Sequence, residues 1–297
     1  MFLQQIVIGF TVGGVYALIA LGYTMVYSIL ELINFAHGEV YMIGAYLGII
    51  FLGIFTAIGL TEQSLPLALL LTFILSVFFC SAYGFTIEKL AYKPLRWAPR
   101  LSPLISAIGV SIFLQNYVML TQGATDKVFP HILELAKIEF FGVTMTTLQI
   151  FIIATSLLLM MVLHLYVMKT KTGKAMRAVA QDRIMASLLG INIDRIISVT
   201  FIIGSGLAAV AGLMVAMYYG LVNYYIGYIA GIKAFTAAVL GGIGSIPGAI
   251  LGGFILGIIE SLAAGYLSGE YKDAYAFIIL IIILLIRPRG LLGKATP

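Results

Sequence analysis

The chain has 297 residues, 62% of them hydrophobic and 10% charged, with a formal net charge of +5; an average soluble domain is roughly 25% charged. A water-soluble fold of this length cannot hide that much apolar surface, which excludes a soluble enzyme or binding domain and leaves lipid as the solvent. The single cysteine, Cys80, excludes both a disulfide framework within the chain and a cysteine-built metal site.

A membrane helix needs about 20 mostly apolar residues. In chain order, apolar blocks at 3–30, 40–60, 65–87, 101–121, 148–168, 196–219, 228–244, 247–266 and 273–286 predict an all-α, polytopic helical bundle of eight or nine crossings. The first block is too long for a cleaved leader and has no Lys or Arg before Lys89, so it is expected to remain as a helix. Between the first two blocks Glu31, Asn34, His37 and Glu39 lie close together. That segment is expected to be non-helical at depth, facing protein or water. His37 is compatible with a proton relay or a structural hydrogen bond, and Glu31 and Glu39 with a functional or an interfacial place.

The loop at 122–147 carries mixed charge, Lys127 and Lys137 against Asp126, Glu134 and Glu139. The loop at 169–195 is basic. In it Thr172 is expected to cap a helix from about Lys174, with Met176, Val179, Ala186 and Leu189 available for one face and Gly190 at its end. Asn192 or Asp194 caps the next membrane helix. Either this element transmits force from a cytoplasmic partner or it is a plain connecting loop. The seventh block contains Lys233 and runs into Gly241-Gly242-Ile243-Gly244-Ser245-Ile246-Pro247-Gly248, which reads as a half-crossing or a broken helix. Gly248/Gly252 and Gly253/Gly257 are close-packing pairs, while the run before them suits either packing or the wall of a substrate path. Glu260 is placed either at a functional site or, six residues from its block's end, at the outer interface.

Positive charge sets direction. Lys89, Lys93, Arg96 and Arg100, then Lys169, Lys171, Lys174, Arg177, Arg183 and Arg195, then Arg287, Arg289 and Lys294 fall in three segments. The positive-inside rule assigns all three to the cytoplasm, with the N-terminus outside. The net charge is thereby a signal to anionic lipid and not a nucleic-acid surface. No loop is long enough for a second domain, so 1–297 is read as one transmembrane domain with a possible coupling loop at about 169–195.

A nucleotide-binding loop is missing, since Gly173-Lys174 is followed by Ala175 and Gly293-Lys294 fails similarly. No metal-site or hydrolase motif is present, so no catalytic residue is assigned.

Several stretches carry a family resemblance: Gly-Val-Tyr-Ala-Leu-Ile-Ala-Leu-Gly-Tyr-Thr-Met-Val-Tyr at 14–27, Ile-Asn-Phe-Ala-His-Gly-Glu at 33–39, Met-Ala-Ser-Leu-Leu-Gly-Ile-Asn at 185–192, the 233–249 run and Glu-Tyr-Lys-Asp at 270–273. On these the chain resembles the LivH-type permease of branched-chain amino acid ABC transporters across nearly its whole length. The resemblance implies a bacterial cytoplasmic-membrane permease for leucine, isoleucine and valine. A second, LivM-like permease, two ATPase subunits that bind ATP and Mg, and an extracytoplasmic amino-acid-binding protein would be its partners. This chain itself would hold no cofactor and no metal. Of the importer pattern Glu-Ala-Ala-x-x-x-Gly only Ala186 and Gly190 match, with Ile184 and Met185 at its first two positions. Asp182, Arg183, Ala186, Ser187, Leu189 and Gly190 are then the expected ATPase contact. Asn34, Phe35 and His37, with Gly241, Gly242, Gly244 and Ser245, are the expected path for a zwitterion with an aliphatic side chain. A permease of the same fold for urea, amides or a sugar, or an ion-coupled transporter using His37 or Glu260, are the rival readings.

Overall fold

A computed structural model describes residues 1–96, 98–99, 101–130, 136–140 and 142–293. Arg100, Glu134 and Lys294, used above to weigh loop charge, lie outside the described residues. The elements in order are α1 (Phe2–Leu30), α2 (His37–Ala57), α3 (Leu60–Gln63), α4 (Leu65–Ile87), a wide π turn (Glu88–Tyr92), a 3-10 turn (Lys93–Leu95) and α5 (Leu101–Gln122). Then come β1 (Lys127–Val128), β2 (Lys137–Phe140), β3 (Val143–Thr146), α6 (Thr147–Lys169), α7 (Lys171–Gln181), α8 (Arg183–Leu188) and α9 (Ile193–Tyr219). The chain closes with β4 (Leu221–Val222), α10 (Ile226–Gly241), α11 (Ile246–Tyr266) and α12 (Lys272–Ile286).

Among the described residues seven helices are long and apolar enough to cross a membrane: α1, α2, α4, α5, α6, α9 and α11. The remaining two apolar helices, α10 and α12, have 16 and 15 residues. At 1.5 Å per residue they reach only about 24 and 22 Å, short of a hydrocarbon core of about 30 Å. The expected eight or nine crossings thus resolve into seven long helices and two short ones. The seventh block, expected as a half-crossing or a broken helix, is a single short helix that ends at Gly241.

α1 is the central pillar. Its 29 residues run about 43 Å, and from Gly13 to Val26 every side chain is buried. Small residues make the close contacts, as membrane helices without a hydrophobic drive between them require. A Cβ on Gly13 would lie 2.9 Å from the Phe254 Cα, and one on Gly253 2.5 Å from the Ala17 Cα. Gly9 and Gly257 face each other's helices in the same way, so α1 and α11 run antiparallel in near backbone contact. The other pair, Gly248 and Gly252, faces Gly241 and Ala237 of α10. The two close-packing pairs of α11 therefore seat it on two different helices.

α2 runs alongside α9, with Gly44 against Ala209 and Gly48 against Leu213. α4, α5, α6 and α12 form the rim, where large apolar side chains such as Phe78, Leu120 and Leu285 are exposed to what is lipid in the native setting.

The three basic segments meet at one end. Lys93 and Arg96 both pair with Asp194 at the start of α9. The tail reaches the same end, because Leu291 and Leu292 donate backbone hydrogen bonds to the Leu240 and Gly241 carbonyls. The opposite end holds the start of α1, where Gln4 exchanges two hydrogen bonds with the Thr144 backbone. It also holds the two short ribbons, β1 with β4 and β2 with β3.

Candidate functional site

Two regions at the basic end and the membrane centre account for the expected site residues. The first is the α7–α8 knuckle. α7 begins at Lys171 and not near Lys174, because Thr170 and not Thr172 is its cap, the Thr170 hydroxyl accepting from the Gly173 N–H at 3.0 Å. The single expected helix is interrupted at Asp182, which takes extended backbone and caps α8 by accepting from the Met185 N–H at 3.0 Å. Gly190 then turns the chain at φ +81. Its N–H reaches the Ser187 carbonyl and the Ile191 N–H the Ala186 carbonyl. Asn192 caps α9, accepting from the Arg195 N–H at 3.0 Å.

Met176, Val179 and Ala186 point inward, and Ala186 is only 2% exposed. Ala186 is therefore the foot on which α8 stands, while Asp182, Ser187, Leu189 and Gly190 are exposed and Arg183 is half-buried. Outward point Ile184, Met185, Leu188 and Leu189, at 74, 59, 76 and 78% exposure. These four large apolar side chains form one exposed patch at the basic end of the molecule. Sequence reasoning places Ile184 and Met185 only as departures from the importer pattern and does not single out Leu188, since a six-residue helix is too short for its period to be read. Partial burial draws the Arg183 guanidinium below its ordinary value, while the charge of Glu31 acts in the other direction.

The second region is the break between α1 and α2. Glu31 takes a left-handed conformation, φ 54, and ends α1 by donating its N–H to the Tyr27 carbonyl at 2.8 Å. Six residues then turn back into the protein, and α2 starts at His37, which packs over Gly22 and Gly204. Gly22 lies eight residues, about 12 Å, short of the end of α1, so α2 begins well inside the membrane. Asn34, 3% exposed, accepts a hydrogen bond from the Tyr92 hydroxyl at 2.9 Å. Glu39, 1% exposed, accepts from the Ser111 hydroxyl at 3.0 Å and abuts the first turn of α10 at Gly227. Glu39 is thereby interior, not interfacial. The His37 ring stacks edge-on to Tyr23 with centroids 5.0 Å apart.

Phe35 faces the Phe235 ring at 6.4 Å. Beside it lies a small apolar recess lined by Tyr23, Tyr27, Ile33, Phe235, Ala238 and Ile243. The break and the glycine turn thus border one recess from two sides, through Ile33 and Ile243. The glycines themselves divide. Gly241 and Gly242 are buried, the first against Gly248 and the second, at φ +104, against Arg289 and Gly293 of the tail. Gly244 is exposed and its carbonyl accepts from the Ser28 hydroxyl at 3.4 Å. Ser245 caps α11 through the Gly248 N–H at 3.2 Å.

Glu260 does not reach the outer interface. It is 5% exposed and pairs with Lys233 at 2.7 Å, and Lys233 pairs also with Asp273 at 2.6 Å. The Tyr16 hydroxyl completes the group, 3.2 Å from both Glu260 and Lys233. Glu260 and Lys233 thus form a buried ion pair within the helix bundle.

Long packed helices, a break lined by buried polar groups and an apolar knuckle at the basic end define a polytopic membrane transport subunit. The family described as the permease component of the branched-chain amino acid transport system matches residues 5–284, and the chain belongs to it. It is similar to the high-affinity branched-chain amino acid transport system permease protein LivH of Escherichia coli (strain K12), 51% identical over 297 residues that cover 99% of this chain and 96% of the relative. The corresponding protein BraD of Pseudomonas aeruginosa is 52% identical over the same shares of each chain. A probable LivH of Methanocaldococcus jannaschii is 29% identical over 93% of this chain and 88% of its own. No solved structure matches.

Proposed function

We propose that this chain is the permease subunit of an ATP-driven importer of leucine, isoleucine and valine, and that the α8 knuckle receives the ATPase. It is a transport component and not an enzyme. Its family membership supports separate ATPase and binding-protein subunits. The observation that carries the coupling role is the outward face of Ile184, Met185, Leu188 and Leu189, an apolar ridge suited to a partner's groove. The finer reading assigns ATP and its Mg to two ATPase subunits. A second, LivM-like permease faces the recess beside Phe35 and Phe235 and closes the path. The basic end is cytoplasmic, the N-terminus and the end bearing β1–β4 are extracytoplasmic, and a binding protein delivers substrate there. The apolar recess between the break and the glycine turn marks where the path for a small aliphatic zwitterion would open once the second permease is in place. Tight binding there would slow release, so selection is left to the binding protein.

The test is uptake of labelled leucine into vesicles holding this chain with its candidate partners. Uptake is expected only with the ATPases, with ATP on the side of the basic segments and with binding protein on the other. In the same vesicles Lys171→Cys should react with an impermeant maleimide only from the ATP side; the native Cys80 is buried and silent. Uptake by the chain alone, abolished when the proton gradient is collapsed, would replace this reading with an ion-coupled one.

A further inference from the structure

The knuckle and the break are separate places, yet a short run of side chains joins them. Asp194 sits in the first turn of α9, two residues past the Asn192 cap that ends the α8 corner. Its carboxylate pairs with Lys93 at 2.7 Å and with Arg96. Arg96, 10% exposed, also pairs with Glu88, which is fully buried. Glu88 in turn accepts from the Ser198 hydroxyl of α9 at 2.9 Å. Both ends of the 88–96 segment are therefore clamped to the base of α9. From the middle of that clamp Tyr92, 1% exposed, reaches across to Asn34 in the break at 2.9 Å, its ring held 5.3 Å from Phe201 of α9.

The segment is also the only stretch of π turn among the described residues, Glu88–Tyr92, closed by the Lys93 N–H on the Glu88 carbonyl. Such turns interrupt a regular helix and are frequent at functional sites. A displacement of the α8–α9 corner moves Asp194. Through Arg96 it moves the clamp, and the buried hydroxyl then pulls on the residue that shapes the re-entrant break. The first link, at Asp194, is half exposed, whereas the links from Glu88 and Tyr92 to Asn34 are buried and shielded from water.

We propose that Tyr92 is a positioning residue for transport, the relay by which movement of the ATPase-contacting corner reaches the Asn34 break. The inference rests on α8 being that contact. Tyr92→Phe removes the hydroxyl and leaves the volume, so it cuts the relay without opening a cavity. In the complete importer reconstituted in vesicles, binding-protein-stimulated ATP hydrolysis is expected to stay within about twofold of the wild type. Leucine imported per ATP should fall about fivefold or more, the scale of one buried hydrogen bond lost. Asn34→Leu should lower that ratio too, and the double variant no further than the worse single one, since both break one link.

A wild-type ratio in Tyr92→Phe, or hydrolysis and uptake falling together with the melting temperature, would overturn the relay. Ile184→Asp/Leu188→Asp, measured beside it, separates the two readings. If it loses co-purifying ATPase while Tyr92→Phe stays coupled, the relay alone falls. If ATPase still co-purifies in full, the contact reading falls and takes the relay with it.

Discussion

Gly190 holds φ +81 with nothing within 4 Å of where a Cβ would stand. Any penalty for a larger residue there comes from the backbone alone, about 1–2 kcal/mol for an L side chain in left-handed conformation. Gly190→Val is expected to disorder the α8–α9 corner and reduce leucine carried per ATP. Gly190→Asn, whose short polar side chain tolerates that conformation, should retain most of it. Paired hydrolysis and uptake assays distinguish the two, and full coupling in the valine variant would remove Gly190 from the mechanism. Ala186 is a different kind of residue. The importer pattern assigns it to the ATPase surface, but its methyl is the buried foot of α8, and the exposed side chains around it are the ones left for a partner in the proposed contact.

At the scale of elements, the group of Lys233, Glu260, Asp273 and Tyr16 joins α10, α11, α12 and α1 within the membrane. Removing one charge from such a group strands the others, at a cost of about 3–5 kcal/mol, whereas replacing a buried pair with apolar residues is often neutral. Lys233→Met is therefore expected to lower the melting temperature in detergent sharply. Lys233→Met/Glu260→Leu should recover most of that loss, since only the partly exposed Asp273 remains. Equal instability of the two would show that the charges are not paired in the membrane.

The apolar blocks mark the helices well, with ends displaced by three residues at most, because lipid demands long unbroken runs. For α2 the apolar pattern begins at 40, whereas the helix begins at His37. Its polar first turn resembles loop in sequence, but Ser111 of another helix receives Glu39. The Lys233–Glu260 pair is invisible in sequence for the same reason. A separation of 27 residues matches no helical spacing, and only the antiparallel packing of α10 on α11 brings the two together. The break and the glycine turn stand out in the sequence, while the recess they share depends on Phe235 and Tyr27, which sequence does not distinguish from core.

On the scale of the whole molecule, the fold is a pillar, α1, with a half-length helix wedged beside it, and the basic segments gathered at one end. Charge alone predicts that gathering, and the ion pairs of Asp194 supply its physical form. The buried charge group has a consequence for how the protein is made. Lys233 precedes Glu260 by 27 residues, so α10 leaves the ribosome as a short cationic helix before its counterions in α11 and α12 can reach it. An ammonium at the centre of a helix disfavours insertion by about 2.5–3.5 kcal/mol. Its entry is then conditional on α11 and α12. In truncated chains carrying a polar spacer long enough to clear the ribosome, a cysteine placed in α10 should react with an aqueous maleimide when the native sequence ends before Glu260, and should be protected when it extends beyond Ile286. Biogenesis of this half-helix would be settled by the arrival of its successors and not by its own hydrophobicity.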